Sequence, residues 1–142
     1  MKIAESDFSN HIVKSTQKEL GNIFFFNHIA VIEFNEGVHI DINNSNEIFE
    51  ELINFFGNSR PFGIVANRIN SYSINLLDAD LFKKKISNLC HYAVVGHNRA
   101  SKMNAEIENS FCNFNKINYD CIHEAMTHTY GKVKKDILLS LH

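Results

Sequence analysis

Residues 61–95, PFGIVANRINSYSINLLDADLFKKKISNLCHYAVV, carry a strand–helix–strand pattern from which the fold class follows. The runs 63–66 and 92–95 are continuously apolar, as is typical of strands that are covered on both faces of a sheet. Residues 74–85, which lie between these runs, predict a helix. Strands that alternate with helices are joined by right-handed crossovers, so this region predicts a mainly parallel β-sheet with helices packed against it.

Two details of that region follow from its side chains. Pro61 cannot donate a ladder hydrogen bond, so it is expected to open the first strand. In the predicted helix, Ser73 is placed to cap the first turn, and Leu77, Leu81 and Phe82 are predicted to face the core.

The residues before this region predict a hairpin that begins the sheet. The β-rich runs 22–26 and 29–34 are separated by Asn27-His28, which suits a tight turn. The run 11–20 is mostly polar but contains β-branched residues, and it predicts an edge strand.

A first helix is predicted after the hairpin. Asn44 is a candidate cap, and Glu47 three residues later completes a capping box. Gly57 supplies a stop signal. The apolar residues between these signals recur at helical spacing and are Ile48, Phe49, Leu52, Ile53 and Phe56.

The last part of the chain predicts two more helices and a strand. Residues 102–112 predict a third helix, and residues 116–119 predict a short final strand. Asp120 is expected to cap a fourth helix that ends at Gly131, and residues 132–142 are expected to form a separate amphipathic tail.

The element order is therefore ββαβαβαβα, which predicts a single α/β domain. We expect a mostly parallel sheet of about four or five strands with about four helices. No linker divides residues 1–142, and residues 1–10 are expected to be a loose start.

Composition excludes several classes of protein. The chain has 142 residues, 44% of them hydrophobic, and a net charge of -2, which suits one globular domain and not a general nucleic-acid binder. Cys90, Cys112 and Cys121 form no C-x-x-C pair, so we expect no disulfide framework and a cytoplasmic location. We expect neither a signal peptide nor a membrane span. The basic run 83–85 is interpreted as a solvated helix end.

Three polar loops, at residues 35–39, 67–73 and 96–99, are expected to meet at one edge of the sheet. In an open α/β sheet the strand-to-helix loops emerge at the carboxyl edge, where ligands gather and helix N-termini attract anions. The same Asn, Ser and Gly residues also suit turns and caps, so a purely structural interpretation stays open. The residues predicted to contact a ligand are Arg68, Asn70, Ser71, Tyr72, Ser73, His97, Asn98 and Arg99.

Four segments resemble the STAS superfamily, the fold of bacterial anti-sigma-factor antagonists, and within it a group of small STAS/SEC14-like bacterial proteins. They are IEFNEGVH at 32–39, NRINSYS at 67–73, YAVV at 92–95 and NAEIE at 104–108. In element order the resemblance covers residues 22–130. It implies a SpoIIAA-like domain that acts as a regulatory or interaction module.

The resemblance also implies a phosphorylation site. In antagonists of this superfamily, a serine at the start of the helix after the third strand accepts a phosphate that controls binding to a partner kinase. The matching residue here is Ser71 or Ser73, with Arg68 nearby to pair with the phosphate. The superfamily's Asp-Ser-Ser-Gly motif is replaced by Asn70-Ser71-Tyr72-Ser73, so phosphorylation of either serine is a hypothesis.

Two functions are therefore weighed. The first is a non-enzymatic module without a cofactor that binds a protein partner or a small anionic ligand at these loops. The second is a SEC14-like carrier of a small lipid or apolar ligand, which would need a cavity of at least a few hundred Å³. Residues expected to line such a cavity are Phe24, Phe26, Phe55 and Phe82. The amphipathic tail could dock on a second copy and give a homodimer.

A thiol enzyme is the weakest alternative. Cys90 is expected to open a buried strand, where its neighbour His91 points to the opposite face. Cys121 and His123 are two apart on a helix and do not face each other. His123 and His128 are five apart, which misses the i, i+4 spacing of a helical metal pair, so no metal site is predicted.

Overall fold

The computed structural model describes residues 1–97 and 118–140. Two 3-10 helices, Ile3–Glu5 and Asp7–His11, come first, and a third, Leu76–Asp78, leads into the second α-helix. The strands of this part of the chain are β1 (Lys14–Gln17), β2 (Gly21–Phe25), β3 (Ile29–Phe34), β4 (His39–Ile40), β5 (Phe62–Arg68), β6 (Ser73–Ile74), β7 (Leu89–Gly96) and β8 (Asn118–Tyr119). The α-helices are α1 (Asn46–Phe56), α2 (Ala79–Lys85) and α3 (Ile122–Ser140).

Six strands form one mixed sheet in the order β1-β2-β3-β5-β7-β8. The pairs β1–β2 and β2–β3 are antiparallel, whereas β3–β5, β5–β7 and β7–β8 are parallel. The parallel strands therefore end at a common edge, which confirms the chain direction predicted from residues 61–95. The sheet is wider than the four or five strands expected, because β1 and β8 both pair at its edges.

One face of the sheet is covered by α1 and α2. The 3.6-residue spacing of α1 directs one stripe of side chains at the sheet, as predicted. Phenylalanine rings fill much of the interface: Phe25 and Phe55 stack with centroids 4.5 Å apart, and Phe56 and Phe62 with centroids 4.3 Å apart. Gly57, at φ 78°, ends the helix as predicted. The buried residues of α1 are Ile48, Phe49, Leu52 and Phe56.

The opposite face is covered by α3, which approaches β5 very closely. A Cβ added to Gly63 would lie 2.3 Å from Cγ2 of Thr129 and 3.3 Å from Cγ2 of Val133. Only glycine leaves room for a helix at this distance. Thr129 and Val133 are both fully buried, so this face is a tightly packed core.

The predicted capping box of α1 is wrong. The helix begins at Asn46, and Ser45, which precedes it, makes no side-chain capping bond. Asn44 instead closes a turn, because its Oδ1 accepts from the backbone N of Asp41 and its Nδ2 donates to the backbone O of His39.

The second helix is shorter than the predicted range 74–85, and different side chains face the core. Ser73 lies in β6 rather than at a helix cap. Leu77 is 86% exposed and Leu81 is 44% exposed, whereas Phe82 packs against the core as predicted. The 3-10 turn before α2 rotates the chain so that Leu76, and not Leu77, faces the sheet.

The predicted break at Gly131 is also wrong, because α3 runs without interruption from Ile122 to Ser140. Val133, beyond the glycine, continues the buried stripe that begins with Ala125 and Met126. Burial of that stripe outweighs the roughly 1 kcal/mol by which glycine disfavours a helix interior. A cap at Asp120 would start the helix at Cys121, but the helix begins at Ile122.

Two further expectations concern the ends of the described region. Residues 1–10 are ordered rather than loose: Ile3 is fully buried and its backbone N donates to Oε2 of Glu33 at 2.8 Å. The predicted final strand is confirmed at Asn118–Tyr119. The predicted third helix, at residues 102–112, lies outside the described residues.

Candidate functional site

The loops after β3 and β5 form one unit at the carboxyl edge of the sheet. The short strands β4 and β6 pair in parallel and connect the two loops. Gly37 N donates to Ser71 O at 2.7 Å, and Ser73 N donates to Val38 O at 3.0 Å. Gly37 has φ 78°, a conformation that glycine adopts readily. The two loops therefore hold each other in place.

Four exposed side chains of this unit, which we call the rim, are Glu36, His39, Ser71 and Ser73. Oε2 of Glu36 accepts a hydrogen bond from the backbone N of Ser71 at 2.7 Å. Nδ1 of His39 lies 2.7 Å from Oγ of Ser73. The rim thus presents hydroxyls, an imidazole and a carboxylate on a fixed backbone.

Three of the residues predicted to contact a ligand lie beneath the rim. Arg68 is only 3% exposed, its Nη2 donates to the backbone O of Tyr72, and its guanidinium lies 3.9 Å from the centre of the Tyr72 ring. Tyr72 is itself buried against Phe34. Nδ2 of Asn70 donates to Phe34 O at 3.0 Å. In this structure these side chains support the loops, while Ser71 and Ser73 face solvent. Asn98 and Arg99 lie outside the described residues.

His97 belongs to a separate polar row on the α3 side of the same edge. Its Nε2 lies 2.9 Å from Oδ1 of Asn67, and Nδ2 of Asn67 donates to Oε2 of Glu33 at 2.7 Å. Burial lowers the pKa of His97. Glu33 is 4% exposed and was not among the predicted site residues. The signal that could have identified it is a carboxylate in the otherwise apolar strand β3.

A cavity of about 120 Å³ lies between the sheet and helices α1 and α2. Its wall is almost entirely apolar, and Lys83 is the one charged side chain among the described residues that line it. Phe82 lines the cavity as expected for an apolar-ligand carrier, but Phe24, Phe26 and Phe55 do not, and the volume is below a few hundred Å³. The lining residues are Ile32, Phe34, Ile40, Ser45, Ile48, Phe49, Leu52, Ile64, Ala66, Ile74, Asn75, Leu76, Ala79, Phe82, Lys83, Ile86, Leu89 and Tyr92.

The β4–β6 pair separates this cavity from the rim. His39 is paired with Ser73, and both face outward. Ile40 is paired with Ile74, and both line the cavity. Side chains alternate between the two faces of a strand, so the same four residues form the outer surface and the inner wall.

Within residues 1–97 and 118–140, no hydrogen bond joins a cysteine to a histidine. Burial, followed by the nearby Asp136 carboxylate, raises the pKa of Cys90 to about 12, which keeps its thiol protonated and unreactive. Cys121 is exposed, and its Sγ accepts from Glu124 N at 3.4 Å. His123 stacks on Phe8 with ring centroids 5.4 Å apart.

Cys121 and His97 line a second cleft, of about 420 Å³, between the first 3-10 helices and the start of α3. Within residues 1–97 and 118–140, no three His, Cys, Asp or Glu side chains are grouped so that they could hold a metal ion. In the same part of the chain, every helix is too short or too polar to cross a bilayer.

Comparison with known proteins identifies the fold. No protein-family model matches the chain, and no curated protein matches it in sequence. In structure it is similar to an uncharacterised protein of the DUF3478 family with a SpoIIAA-like fold from Shewanella loihica PV-4. The TM-score is 0.53 at 10% sequence identity, over 82% of this chain and 90% of that chain. Sequence identity of 10% shows a shared fold and nothing about function. The chain has a SpoIIAA-like α/β fold, as the resemblance of its loops and strands implied.

Proposed function

We propose that this chain is a regulatory or interaction module that binds a protein partner or a small anionic ligand through the rim. The observation that carries the proposal is the β4–β6 pair, which fixes two strand-end loops as one exposed polar surface. A surface that is already ordered loses little conformational entropy on binding. Function on α/β scaffolds is concentrated at this edge of the sheet.

Of the two candidate phosphoacceptors, Ser73 suits a phosphate better than Ser71. The Ser73 hydroxyl lies beside the His39 ring, whose N–H can donate a hydrogen bond to a phosphate. Ser71 donates its backbone N–H to the Glu36 carboxylate, which would repel a phosphate on that serine. Arg68 is engaged with Tyr72, so the basic side chain that lies at the rim is the imidazole of His39.

Affinity capture from extract of the native host tests the proposal. The bait is the full chain as wild type, Ser73→Asp or His39→Ala, and captured proteins are quantified by mass spectrometry. Ser15→Asp is the matched control, because Ser15 is an exposed hydroxyl on β1, outside the rim. We expect a partner that wild type and the control capture equally and that both rim variants bind at least tenfold less. A capture profile that is the same for all four baits would contradict the proposal.

The small-anion form of the proposal has its own test. Inorganic phosphate is titrated into ¹⁵N-labelled protein, and backbone amide shifts are followed by NMR. We expect saturable shifts at residues of the rim, and weaker binding in His39→Ala, which removes the imidazole beside Ser73. If no phosphate concentration shifts the amides of the rim, the proposal that the rim binds a small anion is contradicted.

A further inference from the structure

We propose that the cavity beneath α1 and α2 binds a small monocarboxylate, with its apolar body inside and its carboxylate paired with Lys83. The site is separate from the rim, so this inference goes beyond the proposed function and does not depend on it. Its ligand class is an amphiphile whose apolar part has about four to six carbon atoms.

The size of the apolar part follows from the volume. An engineered cavity of about 150 Å³ lined by aliphatic and aromatic side chains stays dry and binds benzene. The cavity here has about 120 Å³ and a wall of the same type, built from residues such as Ile32, Ile64, Leu52 and Phe82. A water molecule in such a space would find few hydrogen-bond partners. An apolar group that enters the cavity therefore does not have to displace tightly bound water.

The charge of the ligand follows from the polar groups at the wall. Ser45 and Asn75 are already engaged: Oγ of Ser45 donates to Ile42 O, and the Asn75 side chain bonds Leu77 N and Asp78. Lys83 is half-buried and makes no hydrogen bond or ion pair with any residue in the described part of the chain. Lys83 lines the cavity, and a lysine can lay its methylene stem along an apolar wall while its ammonium stays in water. A carboxylate at the mouth of the cavity would be within reach of such an ammonium, which favours a ligand that combines an apolar body with a negative charge.

The neighbouring lysines show that this arrangement is particular to Lys83. Lys85 donates to Oδ1 of Asn46 at 2.7 Å and lies over the Phe49 ring. Lys84 is exposed and does not line the cavity. The basic run interpreted from the sequence as a solvated helix end therefore contains one half-buried lysine that lines the cavity.

Hexanoate is a suitable probe, and 1-hexanol and hexylammonium are its neutral and cationic counterparts. Each is titrated into ¹⁵N-labelled protein and followed by NMR, with wild type, Lys83→Met and the matched control Lys84→Met. For wild type we expect saturable hexanoate shifts at amides around the cavity, such as those of Leu52 and Phe82. Hexanol should bind more weakly and hexylammonium weakest. Lys83→Met should weaken hexanoate about fivefold and remove its advantage over hexanol, whereas Lys84→Met should leave both unchanged.

Ala66→Leu provides a second, independent variant, because Ala66 is fully buried and lines the cavity. The larger side chain should fill the space and abolish the shifts at its wall. Hexanoate shifts that miss the cavity, equal binding of the three probes by wild type, or equal effects of the two lysine variants would each overturn the inference. Shifts confined to the rim would also overturn it, while they would support the proposed function.

Discussion

The two faces of the central sheet are packed in different ways. Under α3, the helix backbone comes so close to β5 that Gly63 has no room for a Cβ. Under α1 and α2, a cavity of about 120 Å³ remains, and the phenylalanines that line it are Phe34, Phe49 and Phe82. Where α3 crosses β5 the packing leaves no room for added atoms, whereas the α1/α2 face contains room for a ligand. The cleft lined by His97 and Cys121 lies away from that crossing, at the start of α3.

The rim and the cavity lie on the same side of the sheet. The rim and the cavity are the outer and inner sides of the β4–β6 pair, and both belong to the α1/α2 side of the molecule. A ligand in the cavity would contact Ile40 and Ile74, which neighbour His39 and Ser73 along the chain.

The largest expected effect concerns the tight face. Gly63→Ala should lower the free energy of unfolding by about 3 kcal/mol, because its Cβ would collide with the Thr129 methyl group. Guanidinium unfolding monitored by circular dichroism measures the change. Thr129→Ser removes the colliding methyl group, so in the double variant it should recover at least half of the loss. Additive effects of the two substitutions would argue against the close approach of α3.

A matched pair of substitutions compares the two faces directly. Ala66 and Ala93 are both fully buried on central strands, but Ala66 lines the cavity and Ala93 packs in the core on the α3 side. Ala93→Val should destabilise the protein by about 2 kcal/mol through overpacking. Ala66→Val should be neutral or stabilise it by about 0.5 kcal/mol, because the methyl groups enter existing space. Equal losses for both variants, in the same unfolding assay, would remove the distinction between the faces.

We expect acid to destabilise the protein through His91, which is buried on the α3 side of the sheet. Burial, helped by the nearby charges of Lys132 and His128, lowers the pKa of His91 to about 4. In the unfolded chain His91 takes up a proton near pH 6.5, whereas in the folded protein it does so only near pH 4. The contribution of neutral His91 to the free energy of unfolding is therefore complete above pH 6.5 and is lost as the pH falls towards 4. Between pH 7.5 and pH 5 the loss is about 2 kcal/mol.

His91→Gln is the test of this pH dependence, because it removes the titrating group and keeps a polar partner for Tyr119. Unfolding free energies measured at several pH values should show a shallower slope for the variant than for wild type. Parallel slopes would mean that His91 is protonated as easily in the folded protein as in the unfolded chain.

The smallest effect tests the continuity of α3. Gly131 is exposed, and a Cβ added to it would meet nothing within 4 Å. Gly131→Ala should therefore stabilise the protein by about 0.5–1 kcal/mol, as expected in the interior of an exposed helix. The melting temperature gives the sign. A loss of stability would indicate that the helix ends at this glycine, as the sequence pattern suggested.

The fold was predictable from the sequence where one strong pattern acted alone. Continuous apolar runs identified β5 and β7, and the spacing from Ile48 to Phe56 identified α1. The prediction failed where tertiary packing competed with a local signal. Gly131 resembles a stop signal, but Val133 beyond it is fully buried and extends the helix. Leu77 resembles a core residue, but the 3-10 turn before α2 exposes it.

The candidate site was predictable in position and less so in detail. Parallel strands imply a common edge, so the loops at residues 35–39 and 67–73 were expected to meet, and they do. Which side chains face solvent depends on contacts that a sequence does not show. Arg68 suits an anion site by its chemistry, but Tyr72 four residues later covers its guanidinium. The cavity could not be predicted, because its existence depends on how far α1 and α2 stand from the sheet.

A crystal structure of the protein under xenon pressure tests most directly whether the two faces differ as described. Xenon binds to apolar cavities and finds no place in a close-packed core. We expect xenon density bounded by Ile32, Ile64 and Phe82, and none between α3 and the sheet. Xenon beneath α3, or no xenon beneath α1 and α2, would contradict the assignment of the open face and the ligand site inferred from it.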